Sequence, residues 1–126
     1  MTGIARMHAI VLDAPDTRRL AEFYRDLIGW EIVYADPPEE GGWTTLSDGG
    51  GVRISFQYAP DHRPPAWPDP ERPQQMHIDV HVADLDEAER RVLELGATKT
   101  EVQPSTEGTF RVYLDPAGHP FCLCQD

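Results

Sequence analysis

HAIVLDAPDTRRLAEFYRDLIGW, residues 8–30, passes from an apolar strand into an amphipathic helix that stops at a glycine. The chain makes that passage again as HIDVHVADLDEAERRVLELGA, residues 77–97. The closing segments also correspond, LSDGGGVRISFQY (46–58) with YLDPAGHPFCLCQ (113–125). Aligning the turn aspartates Asp48 and Asp115 sets Ser55 opposite Cys122, and each passage opens on a histidine, His8 or His77. A duplicated unit of this length predicts two modules sharing one sheet, with matched positions meeting about a pseudo-twofold axis. On that expectation His8, Ser55, His77 and Cys122 form one candidate site.

The first strand is expected over about 7–13 and its helix over about 16–28. Leu20, Phe23, Tyr24, Leu27 and Ile28 recur there at helical spacing on one stripe. Gly29 suits the left-handed residue that ends a helix. Strands over 30–35, 43–47 and 52–58 follow, separated by the loop DPPEEGG (36–42) and the turn DGGG (48–51). In the second module a strand over 77–82 precedes a helix capped by Asp84. Glu87 stands three residues on, in a capping-box arrangement. Leu85, Ala88, Val92 and Leu95 form that helix's apolar stripe before Gly96. Strands near 97–102, 109–114 and 120–124 complete a second β-α-β-β-β unit, with a turn at 115–118.

The modules, 5–59 and 75–125, are joined by a proline-rich linker, 60–74. Residues 60–73, PDHRPPAWPDPERP, carry six of the twelve prolines, which excludes a helix or a central strand. A plain spacer is the favoured role; the alternative is a flap that carries Trp67 over a pocket.

A chain of 126 residues is long enough for one substantial core and too short for two independent ones. Its 40% hydrophobic content suits a globular protein. No run approaches the roughly 18 apolar residues of a membrane span. The N-terminus makes a poor signal peptide, so a cytoplasmic location is expected. A formal charge of −11, from 22 acidic and 11 basic residues, makes nucleic acid a poor partner. Cys122 and Cys124 fall on one face of a strand, about 7 Å apart by strand rise. That spacing disfavours a disulfide between them and agrees with a reducing compartment.

Strand alternation sorts the polar residues. Ile54, Phe56 and Tyr58 share one face, and Arg53, Ser55 and Gln57 the other. Met76, Ile78, Val80 and Val82 oppose His77, Asp79 and His81, while Phe121 and Leu123 oppose Cys122 and Cys124. If the apolar faces pack on the helices, the remaining faces form a concave cleft. Ile10 and Leu12 are expected to share the face of His8, so one wall is apolar. A mixed cleft of this kind suits a small organic molecule carrying a polar or anionic group. Asp79 and His81, two apart on one face, could form an acid/base pair, though an ordinary polar lining is the favoured reading. Arg53 is a candidate clamp for an anion, or a structural ion pair. Trp43 and Trp67 either stack on a ligand or pack in the core. His119, after the turn glycine, is expected to be exposed and structural.

The repeated module, LAEFYRDLIGWE after the first strand and the closing LDPAGHPFCL resemble the vicinal oxygen chelate superfamily. That group includes glyoxalase I, extradiol dioxygenases, fosfomycin-resistance enzymes and bleomycin-resistance proteins. The resemblance covers nearly the whole chain and is closest to the small glyoxalase-like proteins. It implies an α+β fold of two βαβββ modules, a cupped mixed β-sheet with helices outside, and a homodimer. It also implies metal ligands from the first and fourth strands of each module, here His8, Ser55, His77 and Cys122. The family's carboxylates are missing at Ser55 and Cys122. Two imidazoles with a thiolate, His8, His77 and Cys122, remain a reasonable set for a divalent ion such as zinc, nickel or iron. Serine is a poor ligand at neutral pH, and use of the cleft without a cofactor is the favoured expectation.

Three functions follow. The first is an enzyme of lyase, isomerase or oxygenase type with a non-standard or absent metal site. In it His8 and His77 polarise the substrate and Cys122 is a ligand or a thiol nucleophile. Arg53, Ser55, Gln57, Asp79, His81, Trp43 and Trp67 would line the substrate site. The second is a non-catalytic protein of the bleomycin-resistance type that sequesters a drug or metabolite. The third is a structural or regulatory remnant.

Overall fold

An extended strand becomes a helix where a side chain can accept the helix's first unpaired amide protons. Asp16 does this for Arg19 N at 3.0 Å, and Asp84 does it for Glu87 N at 3.1 Å. The computed structural model describes residues 3–37, 40 and 42–126, so part of the loop expected at 36–42 lies outside the described residues. The chain falls into two compact units, Met1–His62 and Arg63–Asp126.

The first unit contains β1 (Ile10–Ala14), α1 (Thr17–Ile28), β2 (Glu31–Ala35), β3 (Trp43–Ser47) and β4 (Arg53–Tyr58). The second contains β5 (Ile78–Val82), α2 (Leu85–Glu94), β6 (Thr98–Lys99), β7 (Phe110–Leu114) and β8 (Pro120–Gln125). Each unit has its own four-stranded mixed sheet, in the orders β1-β4-β3-β2 and β5-β8-β7-β6. The outer pairs β1–β4 and β5–β8 are parallel, and the other pairs are antiparallel. The fold is therefore α+β, built from two βαβββ modules of one topology.

In the first unit α1 buries Leu20, Ala21, Phe23 and Tyr24. Tyr24 stacks on Phe56 at 5.8 Å between ring centroids and meets Phe23 edge-on at 5.1 Å. Such ring pairs add about 0.5–1.5 kcal/mol beyond simple burial. Gly29 ends the helix at φ 74°, its N–H donating to Arg25 O at 2.9 Å.

In the second unit α2 buries Leu85 and Val92. Fully buried Tyr113 stacks on Phe121 at 5.6 Å and donates its hydroxyl to Glu89 at 2.8 Å. Glu89 also pairs with Lys99 at 2.8 Å and lies 3.4 Å from Arg111, which pins α2 to the sheet. These partners, Lys99 foremost, hold the Glu89 carboxyl below its usual range, while burial and Glu89 push the Tyr113 hydroxyl up. The expected capping box is half formed. Asp84 caps, but the Glu87 carboxylate turns to Arg90 at 2.6 Å, which is the i,i+3 partner an exposed helix face offers.

The two hairpin turns are the same turn. Asp48 Oδ1 accepts from Gly50 N (2.7 Å) and Val52 N (3.1 Å). Asp115 Oδ1 accepts from Ala117 N (2.9 Å) and His119 N (3.0 Å). Both aspartates thus bind the amides two and four residues ahead, which fixes the alignment of Ser55 with Cys122. The strand expected at 97–102 shortens to Thr98–Lys99. Beyond it the Gln103 amide takes over both backbone groups of Val112, accepting from its N–H and donating to its carbonyl, each at 2.9 Å. One side chain replaces the rest of an edge strand.

Candidate functional site

Parallel pairing of β5 with β8 sets Asp79 beside Cys122 and His81 beside Cys124. Burial alternates along β5 as the sequence predicts, with Ile78, Val80 and Val82 more buried than Asp79 and His81. His77 Nε2 lies 3.2 Å from Asp79 Oδ1. One ligand atom from each of His77, Asp79 and Cys122 lies within 4.8 Å of the others. Burial, reinforced by the Asp79 charge and by a hydrogen bond to that carboxylate, pushes the Cys122 thiol up to about 12. Burial and Asp79 raise Cys124 as well. A thiol kept protonated by burial beside a carboxylate is the opposite of the activated thiolate a nucleophile requires.

These strand side chains line a cavity of about 310 Å³, near the small end of ligand sites. Trp67, Pro104, Phe110 and Val112 supply an apolar part of the lining, and Gln74 joins them. Gln74 Oε1 is fully buried and has no hydrogen-bond partner. Leaving a buried acceptor unpaired costs about 1–3 kcal/mol.

Trp67 and Gln74 come from the proline-rich segment, which is therefore more than the spacer favoured from sequence. Arg72 Nη2 donates to Pro64 O at 2.6 Å, and Ala66 N donates to Arg72 O at 2.7 Å. Asp69 N donates to Ala66 O at 2.8 Å. Pro64 lies against Gly118, where φ is 90° and a Cβ would collide with the proline ring. The segment is folded by its own hydrogen bonds and seated on the β7–β8 turn through a glycine. A proline count reveals the absent helix and strand; it does not reveal a loop held by its own backbone.

Register also revises the matched histidines. Val11 pairs with Ser55 as Asp79 pairs with Cys122, so Val11 is the counterpart of Asp79. Counting back two residues, the counterpart of His77 is Ala9, not His8. Cap spacing carries the same signal, because His8 stands eight residues before the cap Asp16 and His77 stands seven before Asp84. His8 precedes β1, is exposed, and lines a separate concavity in the first unit with Arg6, Gly51 and Arg53. Ile10 and Leu12 pair with Ile54 and Phe56, the face that carries the Tyr24–Phe56 stack. They form no wall beside Ser55.

Ser55 is buried and shares a 2.8 Å hydrogen bond with Thr45, which also accepts the Trp43 indole N–H at 3.0 Å. Trp43 is thus tied into the first sheet. Arg53 and Gln57 are exposed on the Ser55 side of β4. The Asp79–His81 pairing, the less favoured alternative from sequence, does not form: Asp79 meets His77, and His81 Nδ1 lies 3.4 Å from Asp126. His119 is half-buried rather than exposed, with its backbone committed to the Asp115 turn.

The metal centre implied by the resemblance needs imidazole or carboxylate donors from both modules. At the matched first-module positions this chain has Ala9, Val11 and a hydrogen-bonded Ser55, so that two-module centre does not fit. The second unit's imidazole, carboxylate and thiol form a different donor set, of the kind that suits zinc better than magnesium or manganese. Among the described residues no helix is long and apolar enough to cross a membrane.

The sequence pattern of the glyoxalase-like domain family matches residues 9–124. No curated protein matches the chain. Several solved structures share its fold. A glyoxalase/bleomycin resistance protein/dioxygenase family enzyme from Burkholderia phytofirmans PsJN is 15% identical with a TM-score of 0.70, covering 96% of this chain and 98% of that one. A glyoxalase family protein from Enterococcus faecalis is 17% identical with a TM-score of 0.65, at the same coverage of 96% and 98%. An antibiotic binding protein from Streptomyces sp. CB03234 is 19% identical with a TM-score of 0.55, covering 98% of each chain. With the same βαβββ order in both halves and a family match across nearly its whole length, the chain belongs to the glyoxalase-like domain family of the vicinal oxygen chelate superfamily.

Proposed function

We propose that this protein binds a small, largely apolar organic molecule in the second unit's cavity and releases it unchanged. The observation that carries this is the seating of the proline-rich segment on the Gly118 turn, which brings Trp67 and Gln74 to a cavity lined also by Phe110 and Val112. An apolar lining with a few fixed polar groups is the usual composition of a ligand site. The neutral Cys122 thiol argues against covalent chemistry. Antibiotic binding by the Streptomyces neighbour accords with a sequestering role. The homodimer expected from the resemblance belongs to the same proposal and is checked by sedimentation.

The test is calorimetric titration with 1-naphthalenemethanol, a two-ring neutral compound, followed by its recovery. Binding should weaken at least tenfold in Trp67→Ala, and the compound should return chemically intact. Binding indifferent to that substitution, or conversion of the compound, would overturn the proposal.

A second reading rests on the 4.8 Å cluster of His77, Asp79 and Cys122 donor atoms. These three residues would hold a zinc ion, which when bound supplies a Lewis acid for an oxygen of the ligand. Titration with zinc alone decides it. Stoichiometric uptake that is lost in His77→Ala favours this reading, and equal weak uptake by both proteins removes it.

A further inference from the structure

We infer that the second unit's cavity selects an aromatic or alicyclic molecule bearing a protonated amine, with Gln74 Oε1 and the Asp79 carboxylate as its acceptors. This rests on the binding reading above and names the chemical class of the ligand. The sequence admits either a polar or an anionic group; the polar groups of the cavity argue against the anionic one.

Gln74 lines the cavity and its Oε1 is buried without a partner, so a turn of its amide toward the cavity would bring it a donor from the ligand. Asp79 lines the same cavity and carries a negative charge that His77, 3.2 Å away, leaves partly exposed. No Arg or Lys is among the described residues lining it. Trp67 and Phe110 add aromatic rings, whose faces attract a desolvated cation. A carboxylate ligand would meet the Asp79 carboxylate with no Arg or Lys to offset it, His77 being already beside Asp79. An ammonium group has three donors and no acceptor, the complement of Asp79 and Gln74 Oε1. The chain's charge of −11 works in the same direction, raising the local concentration of cationic molecules.

The Trp67 indole N–H resonance of the full chain, labelled with ¹⁵N, reports binding at this cavity and not at the Arg6–Arg53 concavity. Three ligands of nearly one shape are titrated: 1-naphthylmethylamine, 1-naphthalenemethanol and 1-naphthoate. The amine should bind at least tenfold more tightly than the alcohol, and naphthoate should be weakest. Gln74→Leu and Asp79→Asn should each reduce the ratio of the amine's affinity to the alcohol's several-fold, both ligands being titrated into each variant. If the alcohol equals the amine, or naphthoate is the tightest, the amine assignment is overturned and the cavity still stands as a binding site. If none of the three moves the Trp67 resonance, the binding reading itself falls, and the assignment with it.

Discussion

The two units have one topology and one hairpin turn, yet their matched positions carry different chemistry. Where the second unit has Asp79 beside Cys122, the first has Val11 beside Ser55. Ser55 closes a chain of neutral hydrogen bonds from Trp43 through Thr45. Cys122 instead meets a carboxylate and an imidazole around a cavity. The nearest concavity to His8 presents Arg6 and Arg53, opposite in sign to the Asp79 site. Duplication has thus kept the turns, caps and helix-packing faces, which fix the fold, and has let the opposite faces diverge. In this chain one half keeps a hydrogen-bonded sheet and the other a site with titratable groups.

The sharpest way to break this comparison uses the matched turn glycines. Gly51 has φ 102° with open space at its missing Cβ, whereas Gly118, at φ 90°, has Pro64 there. Alanine at either position should cost about 1–3 kcal/mol in backbone strain. Gly118→Ala should lose about 1–3 kcal/mol more, because the proline segment must shift, and should also weaken ligand binding. Equal losses in urea unfolding, with binding intact, would detach the segment from the site.

A smaller effect of opposite sign is expected at Gln74. Replacing it with Leu removes an unpaired buried acceptor, so the free protein should gain about 1 kcal/mol. A loss of stability would mean that Oε1 has a partner in solution.

The smallest effect is one of pH. The native Cys122 thiol holds its proton up to about 12, whereas an unperturbed thiol ionises near 9. Between these values the native state binds more protons than the unfolded chain, so the unfolding free energy falls as pH rises past about 9. Cys122→Ala should flatten that slope, and Ser55→Ala should not. Alkylation of Cys122 by iodoacetamide at pH 8 should be slow beside a free thiol; rapid labelling would reveal a thiolate.

Most of the fold is legible because local rules agree with one another. Asp16, Asp84, Gly29 and the two Asp turns state where helices and hairpins begin and end, and strand alternation on β5 and β8 gives the correct faces. The site is legible only in part. His77, Asp79 and Cys122 share a face by periodicity, and that expectation survives. The pairing of His8 with His77 follows the sequence initial rather than the cap spacing, and one residue of slip moves a side chain to the other face of a strand. Gln103 and Gln74 escape notice for a different reason. Their roles depend on where a loop folds back, and neither hydrophobic period nor turn composition encodes that. Trp67 is visible as a candidate, but its choice between spacer and pocket is made by Pro64 meeting Gly118, a contact between residues 54 positions apart.

The central claim is that the ligand site belongs to the second unit. Backbone amide shifts of the labelled protein on adding 1-naphthalenemethanol test it directly. The account predicts changes at Asp79, Phe110 and Val112, together with the Trp67 indole, while Val11, Thr45 and Ser55 stay still. Shifts centred on Val11, Thr45 and Ser55, with Asp79 and Trp67 unmoved, would contradict it.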